Sequence, residues 1–296
     1  MERAIETREL IALRSLDTTI PGTFHRACDG GHPMYGNGNS RERIGVLFLN
    51  SLTPTRAARG DSSVSWADSF AELGYPSFRI DLPGFGDSAT DPPADLLNFV
   101  NLGGYTRIAC AVIKALVAQY HLSGVVLFGL CAGAVSAIYT AADSKECLGL
   151  ILLDPYFHLP QANGSTVFNR LMNQIPPGAL RRGIRGIVHG TRAVRERQLR
   201  KQLPETSNFR LLDRWKTVMS SGLPIIMFTA PAIKQKGVEF DYVDYLRTQL
   251  SDESQVEIKA VQGADHTFAN CLGRSVVRQQ TEEWLNTHFP PVTSRV

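Results

Sequence analysis

The segment Gly129-Leu130-Cys131-Ala132-Gly133 places a cysteine between an apolar run, Val125-Val126-Leu127-Phe128, and a run of small residues that begins at Ala132. A chain that turns sharply from strand to helix needs glycine two residues before and two after the apex, because a side chain there would strike neighbouring backbone. The apex residue is forced into the open. At the start of a helix it also meets the positive end of the macrodipole, which favours thiolate over thiol. A thiolate attacks activated acyl groups and forms an acyl-thioester, which keeps enough energy to pass the acyl group to water, an alcohol or an amine.

A nucleophile of this kind calls for a base, and His266, in Gly263-Ala264-Asp265-His266-Thr267-Phe268, follows the last apolar run and precedes the final helical stretch. None of the other six histidines occupies such a slot. The supporting acid has two nearly equal candidates. Asp154 closes the run Leu150-Ile151-Leu152-Leu153, although before Pro155 it also reads as a strand-terminal cap. Asp241 lies in the loop after the run at 223–229, with Glu239 as a third choice. The oxyanion of an acyl-transfer intermediate needs backbone donors. Ala132 supplies one, and Leu52, in the loop Asn50-Ser51-Leu52-Thr53-Pro54, is the expected second. Ser51 and Arg59 on the same loop are candidate substrate contacts. Cys28, Cys110, Cys147 and Cys271 have no companion motif and read as small hydrophobes.

Short apolar runs predict strands over 45–50, 76–81, 124–128, 148–153, 223–229 and 255–261. Helical patterns fall between them over 63–73, 105–119, 132–142, 242–250 and 274–288. This alternation predicts an α/β fold, a mostly parallel sheet with helices on both faces. The first forty residues are compatible with an edge hairpin or a short helix, and both stay open. The alternation breaks after Asp154-Pro155, where a helical lid inserted over 155–219 is expected within a single domain spanning 1–296.

With 296 residues, 43% of them hydrophobic and 20% charged, the chain can bury one large core. Residues 156–219 carry twelve Arg and Lys against three acids, a charge of +9, which leaves −6 on the rest of a chain whose total is +3. A basic lid over an acidic body favours anionic partners, such as an acyl group carried on coenzyme A or on an acyl carrier protein; a solvated helix face is the plainer alternative. Five scattered cysteines without C-x-x-C spacing suggest neither a disulfide framework nor a zinc site, and no metal or cofactor is expected. Charges punctuate the N-terminus and no run reaches the roughly 18 apolar residues of a membrane span, so the expectation is a cytoplasmic protein. The sequence holds no G-x-G-x-x-G, no P-loop and no basic patch interleaved with aromatics, which argues against nucleic acid.

Three segments together make the chain resemble the α/β-hydrolase superfamily over about its whole length: the G-x-C-x-G elbow, Asp81-Leu82-Pro83-Gly84-Phe85-Gly86-Asp87-Ser88, and Ala264-Asp265-His266-Thr267-Phe268. The resemblance implies the hydrolase fold, and a Cys131, His266 and carboxylate triad. The D-x-x-G-x-G-x-S stretch would be scaffold and pocket wall. Gly129-Leu130-Cys131-Ala132-Gly133-Ala134 is also similar to the G-L-C-S-G-A elbow of bacterial hydrolases associated with exosortase, exopolysaccharide or natural-product clusters, with Ala132 in place of serine. Cysteine-bearing relatives include dienelactone hydrolases and polyhydroxyalkanoate synthases, so the resemblance is compatible with both hydrolysis and transfer. A thioesterase or acyltransferase, an ester or lactone hydrolase, and a non-catalytic binding protein are the three functions compatible with it.

Overall fold

Val125 and Leu127 point to one side of the sheet and Val126, Phe128 and Leu130 to the other, and all five are buried. A strand covered on both faces must be apolar at every position, which is why these runs do not alternate. The computed structural model describes residues 7–29, 32–33, 43–52, 55–159, 203–230, 240–250 and 255–290. Its main strands are β1 (Arg8–Ser15), β2 (Thr18–His25), β3 (Ile44–Leu49), β4 (Ser77–Ile80), β5 (Gly124–Leu130), β6 (Cys147–Leu153), β7 (Ile225–Thr229) and β8 (Val256–Ala260). They form one sheet in the order β1-β2-β4-β3-β5-β6-β7-β8. Pairing is antiparallel from β1 through β2 to β4 and parallel from there to β8.

The helices are α1 (Ser62–Glu72), α2 (Leu96–Asn101), α3 (Thr106–Tyr120), α4 (Ala132–Ala141), α5 (Phe209–Ser220), α6 (Tyr242–Arg247) and α7 (Cys271–His288). One core layer joins the sheet to α3, α4 and α5; the other joins it to α1 and α7 through Trp66, Phe70, Val277 and Trp284. The segment left open at the N-terminus is the edge hairpin. α2 was not expected from periodicity; it is a six-residue helix whose start is capped by Asp95, which accepts from the Asn98 N–H at 3.0 Å.

Most of the expected lid, residues 160–202, lies outside the described residues. Of the expected lid, residues 155–159 and 203–219 are described. α5 packs against α4 and buries Leu211, Leu212, Trp215 and Val218, so it belongs to the body. α6 ends at Arg247, short of the predicted 250, and α7 starts a turn earlier than predicted, where the Asn270 side chain accepts from the Gly273 N–H at 2.7 Å.

Candidate active site

Cys131 follows β5 directly and caps the N-terminus of α4 with φ 53° and ψ −113°, a conformation that costs a non-glycine residue of order 1–3 kcal/mol. The surrounding backbone imposes it. The Cys131 N–H donates to the Leu153 carbonyl at 2.8 Å, and its own carbonyl accepts from Ala134 and Val135. A Cβ at Gly129 would lie 2.5 Å from the Ala134 nitrogen, and one at Gly133 would lie 2.6 Å from the Leu49 carbonyl oxygen. The two glycines thus let α4 start directly over the strand ends. All ten residues of α4 are buried, which the small side chains Ala132, Gly133, Ala134 and Ala137 permit.

Strand pairing sets which candidate carboxylate stands beside His266. Leu130 pairs with Leu153 across β5 and β6, so the next residues on each strand, Cys131 and Asp154, come out at the same level. Asp154 takes φ 46° and donates its N–H to the Phe228 carbonyl at 2.8 Å. Its Oδ2 lies 2.5 Å from His266 Nδ1, with the two side chains 17% and 30% exposed. Asp241 is elsewhere: it caps α6, accepting from the Asp244 N–H at 2.9 Å, and no contact joins it to His266. Its separation along the chain explains this, since eleven residues lie between it and the end of β7 while Asp154 is the first residue after β6. Glu239 lies outside the described residues.

His266 is presented by a tight loop. Asp265 Oδ1 accepts from the Thr267 N–H and hydroxyl and from the Ala269 N–H, and Phe268, two residues after His266, is fully buried as an anchor. Hydrogen bonds that the imidazolium donates to Asp154 and then to Cys131 favour the protonated ring against the cost of burial and push its pKa up to about 10. The arrangement is a Cys131–His266–Asp154 line with the histidine charge favoured on both sides. Burial pushes the Cys147 thiol up to about 12 and raises Cys110 and Cys28 as well, which suits their reading as structural.

Ala132 is the first residue of α4, where an N–H has no partner within the helix. Leu52 stands on the facing loop, which runs so close to the elbow that the Asn50 carbonyl oxygen is 2.8 Å from a Cβ built at Gly133. Leu52 is 42% exposed, whereas Ser51 is buried and lines a narrow crevice with Asn50, Thr55, Arg56, Ala58 and Leu130. Arg59 is exposed on the same loop. Burial opposes ionisation of Asp265, but its Thr267 and backbone hydrogen bonds and the charge of Arg59 lower its pKa overall, so Arg59 stands near the His266 loop. No group of three or more His, Cys, Asp or Glu among the described residues is arranged to hold a metal, and no described helix is long and apolar enough to cross a membrane.

Two features escaped the sequence reading. Tyr156, two residues beyond Asp154, is buried near enough to Cys131 to feel its charge, and its hydroxyl has no partner among the described residues. Asp81, at the end of β4, is fully buried and joined to Arg56 on the facing loop. The pairing is visible only in three dimensions, although a carboxylate at the end of an apolar strand was the signal available.

A family model described as "Alpha/beta hydrolase family" matches residues 46–271. Among solved structures, an esterase of Pyrococcus furiosus superposes with a TM-score of 0.61 at 12% identity, covering 95% of this chain and 91% of its own. A dienelactone hydrolase of Anabaena variabilis gives 0.57 at 12% identity, with 95% and 98% covered. An alpha-beta serine hydrolase homologue of Coxiella burnetii gives 0.55 at 15% identity, with 94% and 99% covered. At these identities the likeness is one of fold. No curated protein matches the sequence.

Proposed function

Taking as premise that this chain belongs to the alpha/beta hydrolase family, we propose that it transfers acyl groups from an activated acyl donor through an acyl-enzyme formed on Cys131. The observation that carries the reading is the line from Cys131 through His266 to Asp154, at the mouth of a strained elbow. The Cys131 thiolate attacks the acyl carbonyl carbon. The carbonyl oxygen gathers the negative charge and is held by the N–H groups of Ala132 and Leu52. As the intermediate collapses, the donor's thiol leaves with the proton of the His266 imidazolium, and the acyl group stays on sulfur. The sulfur is then uncharged, so one of the two causes of the raised His266 pKa is gone. The neutral imidazole takes a proton from water, an alcohol or an amine as it attacks the acyl-thioester, and the thiolate–imidazolium pair returns. Asp154 holds the imidazole through Nδ1 in both half-reactions.

A thioester carried on a phosphate-bearing arm is the donor best supported. Arg59 places an exposed cation beside the His266 loop, and residues 156–219 carry a charge of +9. Ser51 lines a crevice that reaches Leu130, the residue before Cys131, and the buried Tyr156 hydroxyl is a candidate hydrogen-bond donor to the acyl group. The likeness of Gly129–Ala134 to the cysteine elbow of the exosortase-associated hydrolases agrees with this chemistry. Following thiol release from acyl-coenzyme A, simple acyl thioesters and the matching oxygen esters tests the donor class. The expected result is faster turnover of the coenzyme A thioester than of either simple donor, with the difference reduced in Arg59→Ala. Turnover of oxygen esters alone would transfer the site to an ester or lactone hydrolase.

A further inference from the structure

We infer that Arg56 is a positioning residue, locking the loop that faces the elbow so that its second oxyanion donor, Leu52, stands in register with Ala132. The inference rests on the proposed acyl-enzyme and adds to it the part of the molecule that holds the oxyanion hole together.

Arg56 is held at its backbone N–H and carbonyl and, on the guanidinium, at Nε and Nη1. Its backbone N–H donates to Asp81 Oδ1 at 2.8 Å, and its carbonyl accepts from Arg79 Nη1 at 3.3 Å. The guanidinium contacts Asp81 Oδ2 closely, donates to Asp87 Oδ2 at 2.7 Å, and donates from Nε to Thr23 Oγ1 on β2 at 3.0 Å. Arg79 is itself held, donating from Nε to His25 Nε2 at 2.8 Å, while His25 Nδ1 meets Asp68. The other end of the loop is tied to the same carboxylate. Asn50 Nδ2 donates to Asp81 Oδ1 at 3.4 Å, and Asn50 Oδ1 accepts from the Leu82 N–H at 2.9 Å. Leu52 thus lies two residues from one anchor and four from the other, both on Asp81.

A carboxylate buried this completely is costly unless it is paired and fully hydrogen-bonded, and replacing such a pair by apolar groups is often neutral or stabilising. Stability alone is therefore a weak reason for the pair. The residues around Asp81 are also shaped to receive it: a Cβ at Gly86 would overlap its carboxyl group, and Gly86 adopts φ 47°. The pair does what a packed apolar cluster could not, since it ties a strained loop by its backbone. Ala58, Gly60 and Asp61 have φ of 59°, 62° and 55°. Misplacing an oxyanion donor by about 1 Å costs on the order of 10²-fold in rate.

The test compares two reactions of the same sulfur. Acylation of Cys131 by an acyl thioester builds an oxyanion, whereas alkylation by iodoacetamide displaces iodide at a CH2 group and builds none. In Arg56→Lys the acylation rate is expected to fall about 10-fold and in Arg56→Ala about 100-fold, with the alkylation rate within about twofold of the parent. Thr23→Val, which removes only the Nε acceptor, is expected to show a smaller loss of the same kind and serves where the Arg56 variants fail to fold. Equal falls in both rates, or no fall in acylation, would overturn the inference while leaving the acyl-enzyme intact. A parent protein that no thioester acylates would overturn both.

Discussion

The elbow that carries Cys131 and the loop that faces it are held by opposite means. At the elbow, backbone packs on backbone: Gly129 and Gly133 remove the side chains that would part α4 from β3 and β5, and the strain at Cys131 is absorbed by main-chain hydrogen bonds. In the facing loop, residues 50–52 and 55–61, charge does the holding, through Asp81, Arg56 and Arg79. Steric devices of the first kind act over a few residues and leave a spacing pattern. The second kind joins positions 50, 56, 79 and 81 with 23, 25 and 68, and leaves none.

Removing one partner of the charged clamp should have the larger effect on stability. Arg56→Ala leaves the fully buried Asp81 carboxylate without its cation, and unfolding by denaturant should register a loss of about 3–5 kcal/mol. A loss under about 1 kcal/mol would mean that Asp87 N–H, Asn50 and solvent suffice.

The two regions should also fail at opposite ends of the pH scale. Burial, and then the charge of Arg79, lower the His25 pKa to about 4. The folded protein therefore resists protonation there, and the stability that the neutral ring contributes above its unfolded pKa of about 6.5 is lost as pH falls through about 4, about 3 kcal/mol in all. His266 is raised to about 10, so its contribution is complete below about 6.5 and is lost as pH rises through about 10. Denaturation curves across this range should show His25→Gln flattening the acid limb and His266→Gln the alkaline one. If either variant flattens the opposite limb, the assignment of the two histidines is reversed.

Elbow glycines come next in magnitude. Gly129→Ala and Gly133→Ala each force a methyl group into backbone, at a cost of about 1–3 kcal/mol measured by denaturation. The smallest effect separates the two carboxylates that the sequence left in competition. Asp241→Ala removes a helix cap, for about 1 kcal/mol, and should leave acylation of Cys131 unchanged. Asp154→Ala should slow acylation at least tenfold. A reversed pattern would return the acid to the loop after β7.

The parts of the site that could be read from sequence are those governed by nearest neighbours. The elbow and the His266 loop each fit within six residues whose types are set by local geometry. Asp154 could not be separated from Asp241 without knowing that β6 lies beside β5, because pairing alone brings residue 154 level with residue 131. α5 was taken for lid because Arg210, Asp213, Arg214 and Lys216 mask an apolar face formed by Leu211, Leu212, Trp215 and Val218. The D-x-x-G-x-G-x-S stretch that begins at Asp81 reads as scaffold and pocket wall, with nothing in the sequence to show its clamp on Arg56. It is scaffold, but of a kind that reaches the site through the loop it ties down.

Peptide-level mass spectrometry after brief exposure to an acyl thioester tests the central claim most directly. The account predicts one acyl group, on the peptide that contains Cys131, and no adduct in Cys131→Ala. An unmodified Cys131 in the parent, or the same adduct in Cys131→Ala, would contradict it.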